Sequence, residues 1–92
     1  MIQSAWECFN NGNALSGQKK HEEAIKCYDK ALMFDPNYTN AWNNKGYTLG
    51  RLRKYEAAIE CFDKALEFAP DDAYAKAAKE KALKALGKLK YL

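Results

Sequence analysis

The chain has 92 residues and a formal net charge of +3, and 48% of its residues are hydrophobic. This length allows one domain, and the apolar fraction is that of a folded globular protein. No apolar run approaches the roughly 20 residues that a membrane-spanning helix needs. The segment from Met1 to Glu7 lacks a basic start and a long apolar core, so it is unlike a signal peptide. We therefore expect a soluble, cytoplasmic protein.

The sequence repeats itself with a period of 34 residues. Between positions 20–36 and 54–70, 11 of 17 aligned residues are identical. The same shift places Gly12 on Gly46. A fixed period of this size indicates stacked supersecondary units, each too thin to bury its apolar face alone.

Hydrophobic periodicity predicts 5 helices and no β-strand. The first follows Ser4, which forms an S-x-x-E capping box with Glu7, and it ends at Gly17. The others are predicted at about 21–34, 39–51, 55–68 and 73–88.

Short polar segments separate the predicted helices. Pro36 and Pro70 stand at equivalent places in the repeat, and proline disfavours helical geometry in the residue before it. Asn37 is a candidate cap for the third helix, and Asp71 and Asp72 are candidate caps for the last.

The second repeat carries a pattern of small and aromatic residues, namely Trp42, Gly46, Ala58, Phe62, Ala65 and Pro70. This pattern resembles the tetratricopeptide repeat, a helix–turn–helix unit of 34 residues. The resemblance covers residues of about 5–38 and 39–72 and implies that a helix at about 73–90 caps the array. The first repeat departs from the pattern because Cys8 stands where tryptophan is usual. The implied fold is an all-α solenoid of stacked helix–turn–helix units, forming one domain over residues 1–92.

In the family that the chain resembles, the first helix of each repeat lines a concave groove that binds peptides or protein segments. Transferred to this sequence, that layout predicts a groove lined by Trp6, Phe9, Asn10, Asn13, Asn40, Asn43, Asn44, Tyr47, Arg51, Tyr74, Ala77, Ala78 and Lys81. Asparagine amides both donate and accept hydrogen bonds, which suits a peptide backbone, and flat aromatic side chains suit anchoring. The alternative is that the asparagines only follow the family pattern and the aromatics pack on their neighbours.

A narrower hypothesis is the carboxylate clamp with which co-chaperones of this family bind acidic C-terminal tails. Asn13 and Asn44 match the two asparagines of the clamp. Phe9 replaces its first lysine, and Tyr74 and Ala78 replace its last lysine and its arginine. Because every cation of the clamp is missing, binding of chaperone tails is the weaker hypothesis.

The sequence gives little support for catalysis or metal binding. Cys8, Cys27 and Cys61 have no CxxC spacing, and His21 is the only histidine. We expect the cysteines to be small buried residues in a reducing compartment. No glycine-rich phosphate-binding loop is present. We therefore predict a protein that is not an enzyme and has no cofactor and no small-molecule substrate.

Positive charge is concentrated at the end of the chain. Residues 73–92 contain 6 lysines and 1 glutamate, whereas residues 1–72 contain 9 basic and 11 acidic residues. We interpret these lysines as the solvated side of a capping helix. Contact with an acidic partner, nucleic acid or an anionic membrane is the alternative. Nucleic acid is weakly supported because the segment has no arginine and few aromatic residues.

The sequence thus predicts a protein–protein interaction module with a scaffold or adaptor role, whose partner is a protein or an extended peptide, for example an acidic one. The alternative is a structural segment that forms a homodimer or an array and has no separate peptide ligand. Two repeats and a cap are few for a stable array, and Tyr91 and Leu92 add an apolar end, which favours self-association.

Overall fold

A computed structural model describes residues 4–87 of the chain. Within these residues it contains α-helices and no β-strand. The helices are α1 (Ala5–Gly17), α2 (His21–Phe34), α3 (Thr39–Arg51), α4 (Tyr55–Phe68) and α5 (Ala73–Ala85). The all-α prediction is confirmed, and α5 ends before the predicted position of about 88. Lys88, Lys90, Tyr91 and Leu92 lie outside the described residues, so the predictions of a solvated lysine side and an apolar end stay predictions there.

The first helix begins with the predicted capping box. Ser4 Oγ accepts a hydrogen bond from the Glu7 backbone N–H at 3.1 Å, and Glu7 Oε1 accepts one from the Ser4 N–H at 3.0 Å. These bonds satisfy backbone donors that the first helical turn leaves without partners.

The prediction that Asn37 caps α3 is wrong. The residue before α3 is Tyr38, which makes no capping bond through its side chain. The Asn37 backbone N–H instead donates to Asp35 Oδ1 at 3.1 Å. Asn37 therefore belongs to an Asx turn that ends the first repeat, because the aspartate two residues earlier captures its N–H.

Each repeat turns its chain through a residue with left-handed backbone geometry. Lys19 and Arg53 have φ angles of 63° and 62°, although neither is glycine. The next residue in each turn, Lys20 or Lys54, donates its backbone N–H to a carbonyl oxygen in the last turns of the preceding helix at 2.9 Å. This hydrogen bond closes the end of the helix and reverses the chain, so that the two helices of a repeat run antiparallel.

Within each repeat, a glycine of the first helix faces an aromatic ring of the second. A Cβ atom added at Gly12 would lie 2.6 Å from Tyr28 Cε1, and one added at Gly46 would lie 2.6 Å from Phe62 Cε1. Glycine is therefore required at both positions by the close approach of the helices. The alanines that flank these contacts are fully buried, namely Ala24, Ala31, Ala58 and Ala65.

Successive repeats are held together by a shared side chain and by repeated ion pairs. Trp42 packs against the buried cluster of each repeat, and its Nε1 donates to the Pro36 carbonyl oxygen at 2.8 Å. Lys45 in α3 pairs with Asp29 in α2 at 2.6 Å. The same pair recurs one period later, where Lys79 in α5 meets Asp63 in α4 at 2.7 Å. Helix α5 therefore packs on the second repeat as α3 packs on the first.

We expect Gly46→Ala to lower the free energy of unfolding by about 1–3 kcal/mol, because the new methyl group displaces the Phe62 ring. The matched control is Gly50→Ala in the same helix, where nothing lies within 4 Å of the added Cβ. That control should be neutral or stabilising by up to about 1 kcal/mol, since alanine is the better helix former. Urea denaturation followed by circular dichroism measures both variants. Equal stability of Gly46→Ala and the unsubstituted protein would contradict the packing described above.

Candidate functional site

Helices α1, α3 and α5 lie side by side and form one face of the molecule, with α3 in contact with both of the others. Two cavities open on this face, and Tyr47 and Tyr74 line both of them. We call this face the groove. The first cavity has a volume of about 330 Å³ and is lined by Asn13, Ser16, Tyr28, Asn44, Tyr47 and Tyr74. The second has a volume of about 410 Å³ and lies between α3, α4 and α5.

A hydrogen-bonded cluster forms the base of the first cavity. Asn13 Oδ1 accepts one hydrogen bond from Tyr28 Oη at 2.6 Å and another from Asn44 Nδ2 at 2.8 Å. Beside them, the hydroxyl groups of Ser16 and Thr48 are 3.5 Å apart. Because the Asn13 carbonyl is fully used, its Nδ2 is the group left to donate to a ligand, and Asn44 Oδ1 is the matching acceptor.

The hydroxyl groups of Tyr28 and Tyr74 in the first cavity stay protonated at neutral pH. Burial raises the pKa of Tyr28 above its usual value, against the opposing effect of hydrogen bonds from nearby side chains. Burial also raises the pKa of Tyr74, and Tyr47 and Asp72 add to that shift. Both hydroxyl groups therefore remain hydrogen-bond donors, and Tyr28 uses its proton to orient Asn13.

The aromatic side chains predicted for the groove divide into two groups. Trp6, Tyr47 and Tyr74 are 65%, 52% and 48% exposed. Phe9 is half-buried and packs on Tyr38, with ring centroids 4.9 Å apart. Three aromatic surfaces are thus accessible to a partner, while Phe9 mainly completes the packing of the first repeat.

The prediction that Asn43 faces a ligand is wrong. Its side chain is buried, with 5% exposure, and its Nδ2 donates to Asp72 Oδ2 at 2.8 Å. Asp72 Oδ1 accepts the backbone N–H groups of Tyr74 and Ala75 and so caps α5. Asn43 therefore fixes α5 against α3 through the capping carboxylate, and its amide is not presented on the groove surface.

The remaining predicted groove residues have less specific positions. Asn10 is half-buried, Asn40 and Arg51 are exposed, and none of these three lines either cavity. Lys81 is exposed and lines the second cavity. The predicted residues that the structure brings to the two cavities are thus Asn13, Asn44, Tyr47, Tyr74, Ala77, Ala78 and Lys81.

Sequence reasoning missed the part that Tyr28 plays in the site. Tyr28 is 1% exposed, and its helical spacing alone indicates only a residue that fills the core. A signal was present in the repeat, because Phe62 occupies the equivalent position one period later. A tyrosine hydroxyl at a buried position needs a hydrogen-bond partner, and Asn13 supplies it.

Metal ligands, thiols and helix lengths within residues 4–87 bear on the functions that the chain could have. No group of three or more histidine, cysteine or acidic side chains there could hold a metal ion. Burial raises the pKa of Cys61 to about 11, which keeps it a thiol rather than a reactive thiolate. No helix in this part of the chain is long and apolar enough to span a membrane.

The comparison with family models identifies the repeat unit. The model of the family described as "Tetratricopeptide repeat" matches residues 5–38 and 39–72. The chain belongs to the tetratricopeptide repeat family. Among curated proteins, the anaphase-promoting complex subunit CDC27 of Saccharomyces cerevisiae is 45% identical over 42 residues, covering 46% of this chain and 5% of that protein. The chain therefore matches only about a twentieth of the length of this relative.

Several solved structures share the arrangement of helices. The second tetratricopeptide domain of Spaghetti (RPAP3), bound to the HSP90 peptide SRMEEVD, is 28% identical with a TM-score of 0.91 and covers 95% of this chain and 81% of its own. The first such domain of the same protein, bound to the same peptide, is 29% identical with a TM-score of 0.89, covering 94% and 70%. MamA is 21% identical with a TM-score of 0.91, covering 92% of this chain and 46% of its own. At this identity the likeness shows the fold alone.

We expect Asp72→Ala to lower the free energy of unfolding by about 2–3 kcal/mol, because the cap of α5 is lost and the buried Asn43 amide loses its acceptor. Asp71→Ala is the matched control, since it removes an equal charge from the neighbouring exposed residue. That control should change stability by less than about 0.5 kcal/mol. Thermal unfolding of both variants measures the difference. Similar effects of the two substitutions would refute the bridging role of Asp72.

Proposed function

We propose that the chain is a protein–protein interaction module that binds an extended segment of a partner protein in its groove. The observation that carries this proposal is the cluster of Asn13, Tyr28 and Asn44 beneath the exposed rings of Tyr47 and Tyr74. The two matched repeats and α5 act together in this proposal as one binding unit.

The polar cluster suits the main chain of a peptide. Asn13 Nδ2 can donate to a peptide carbonyl, and Asn44 Oδ1 can accept from a peptide N–H, so the pair offers one donor and one acceptor. Tyr28 holds Asn13 through its hydroxyl group, so this amide is oriented before a ligand arrives. Such preorganisation reduces the entropy that binding must overcome.

The exposed aromatic residues supply the apolar contacts. Tyr47 and Tyr74 lie on adjacent helices and line both cavities. Large rings with few rotatable bonds lose little entropy when they pack against a ligand, and they dominate the energy of many interfaces. The exposed cations Arg51 and Lys81 favour a partner segment with acidic residues.

We expect the protein to enrich groove-binding peptides from a phage library of random twelve-residue sequences, and Tyr47→Ala to weaken their binding about five- to thirtyfold. The matched control is Phe34→Ala, because Phe34 at the end of α2 is 51% exposed and Tyr47 is 52% exposed. The control should bind as the unsubstituted protein does. Fluorescence anisotropy with the enriched peptides provides the affinities, and thermal unfolding checks that both variants are folded.

Two results would reject this proposal. One is the absence of any enriched peptide. The other is a set of enriched peptides whose affinity is unaffected by Tyr47→Ala but falls with Phe34→Ala, which would place binding away from the two cavities of the groove.

A second candidate function is binding of the HSP90 peptide that the two Spaghetti (RPAP3) domains hold. The fold and the pair Asn13 and Asn44 favour it. The cations of the carboxylate clamp do not occur in this chain, where Phe9, Tyr74 and Ala78 stand in their places. This candidate is therefore the weaker one.

We expect no submicromolar affinity for the peptide SRMEEVD, because no cation of the clamp is present to hold its carboxylates. Isothermal titration calorimetry measures the affinity, and the same peptide with an amidated C-terminus is the control. Submicromolar binding that disappears on amidation would replace the first proposal with chaperone-tail binding.

A further inference from the structure

We propose that the second cavity, between α3, α4 and α5, is a pocket for one large apolar side chain of an acidic peptide. This inference rests on the proposed function and specifies the class of peptide that the groove selects. It assigns to α5 a binding role in addition to its role as a cap.

The walls of the cavity are mostly apolar. Its buried base includes Gly46, Ala58 and Phe62, and its α5 side is formed largely by alanines, including Ala77 and Ala78. Its volume of about 410 Å³ lies in the range of about 300–1,000 Å³ that is usual for ligand sites. Binding of an apolar side chain in such a cavity is favourable, because it removes apolar surface from water.

The repeat explains why the cavity exists at this end of the groove. Shifting the sequence by one period of 34 residues places Asn43 and Asn44 on Ala77 and Ala78, and Arg51 on Ala85. The polar side chains of Asn44 and Arg51 in α3 are thus replaced in α5 by methyl groups, which leave room beside Phe62. The groove therefore changes from a polar region between α1 and α3 to an apolar region between α3 and α5.

The rings of Tyr47 and Tyr74 connect the two regions. Both residues line the polar cavity as well as the apolar one. Tyr74 contacts Phe62 edge-on, with centroids 6.3 Å apart and an interplanar angle of 77°. A peptide whose backbone meets Asn13 and Asn44 can therefore place a neighbouring side chain in the apolar cavity by passing between these rings.

Charge decides which peptide is favoured. Within residues 4–87, Lys81 is the only charged residue that lines the apolar cavity. Arg51 is exposed one turn beyond Tyr47 on α3. Asp72, the acid closest in sequence to Tyr74, is engaged by Asn43 and by the cap of α5. Acidic residues beside the apolar anchor would therefore meet cations, and basic residues would be repelled.

The library selection described above tests this inference at the level of peptide sequence. We expect the enriched peptides to share one leucine, isoleucine, methionine or phenylalanine with aspartate or glutamate nearby. Replacing that anchor with alanine should lower the affinity about ten- to hundredfold, because burial of a large apolar side chain is lost. Replacing the nearby acids with their amides should lower the affinity about threefold or more, and the loss should shrink at high salt.

Two substitutions test the cavity itself. Ala77→Leu fills it from an exposed position on α5 and should lower affinity at least tenfold. Ala85→Leu fills it from a second exposed position on α5 and should have a similar effect. Ala14→Leu is the control, since it adds the same side chain at an exposed position of α1 that lines neither cavity. The control should bind normally.

The outcomes separate this inference from the proposed function. Peptides that lose binding with Tyr47→Ala but tolerate both Ala77→Leu and Ala85→Leu would refute the pocket and leave the groove intact. Failure to enrich any peptide would refute both. A dimer in sedimentation equilibrium that Ala77→Leu dissociates would show that a second copy fills the cavity, and it would also overturn the inference. If Ala85→Leu unfolds, Ala77→Leu alone decides.

Discussion

The close contact between a glycine and an aromatic ring determines the geometry of both repeats. Gly12 lies against Tyr28 and Gly46 lies against Phe62, so closely that a Cβ atom on either glycine would clash with the ring. This contact brings the two helices of a repeat together and sets the spacing at which the next repeat stacks. The groove depends on it, because α1, α3 and α5 share one face only when each packs on its neighbour in the same way.

The fold could be predicted from the sequence because the same pattern of packing residues occurs in it twice. Gly12 and Gly46 recur with the same period as the buried alanines, so one geometry has to satisfy both copies. The predicted helices agree with α1 to α4, since proline, glycine and the capping box end or begin them through local backbone chemistry. Asn37 was misjudged because it lies two residues before α3, and Tyr38 occupies the capping position.

The site could be predicted only in part, because its chemistry depends on contacts between distant residues. Helical spacing placed Asn43 and Asn44 side by side on one face. Only the structure shows that Asp72, 29 residues beyond Asn43, draws that amide into the interior, whereas Asn44 turns toward Asn13. The role of the Tyr28 hydroxyl group could not be predicted for the same reason. Periodicity distinguishes buried from exposed positions, but it does not identify the partner of a buried polar group.

The ion pair between Asp29 and Lys45 has a consequence for how such a chain can lengthen. Asp63 and Lys79 form the same pair one period later. At each junction, therefore, the acid lies on the second helix of one unit and the base lies on the first helix of the next. An exposed pair of this kind adds little stability, about 0–1 kcal/mol, but its position specifies the register of one unit on the next. Tandem duplication of residues 39–72 would therefore create one new junction, between α4 of the first copy and α3 of the second, in which Asp63 would meet Lys45. A longer binding surface could arise in this way by a single genetic event, with the charge pairing of the new junction already in place.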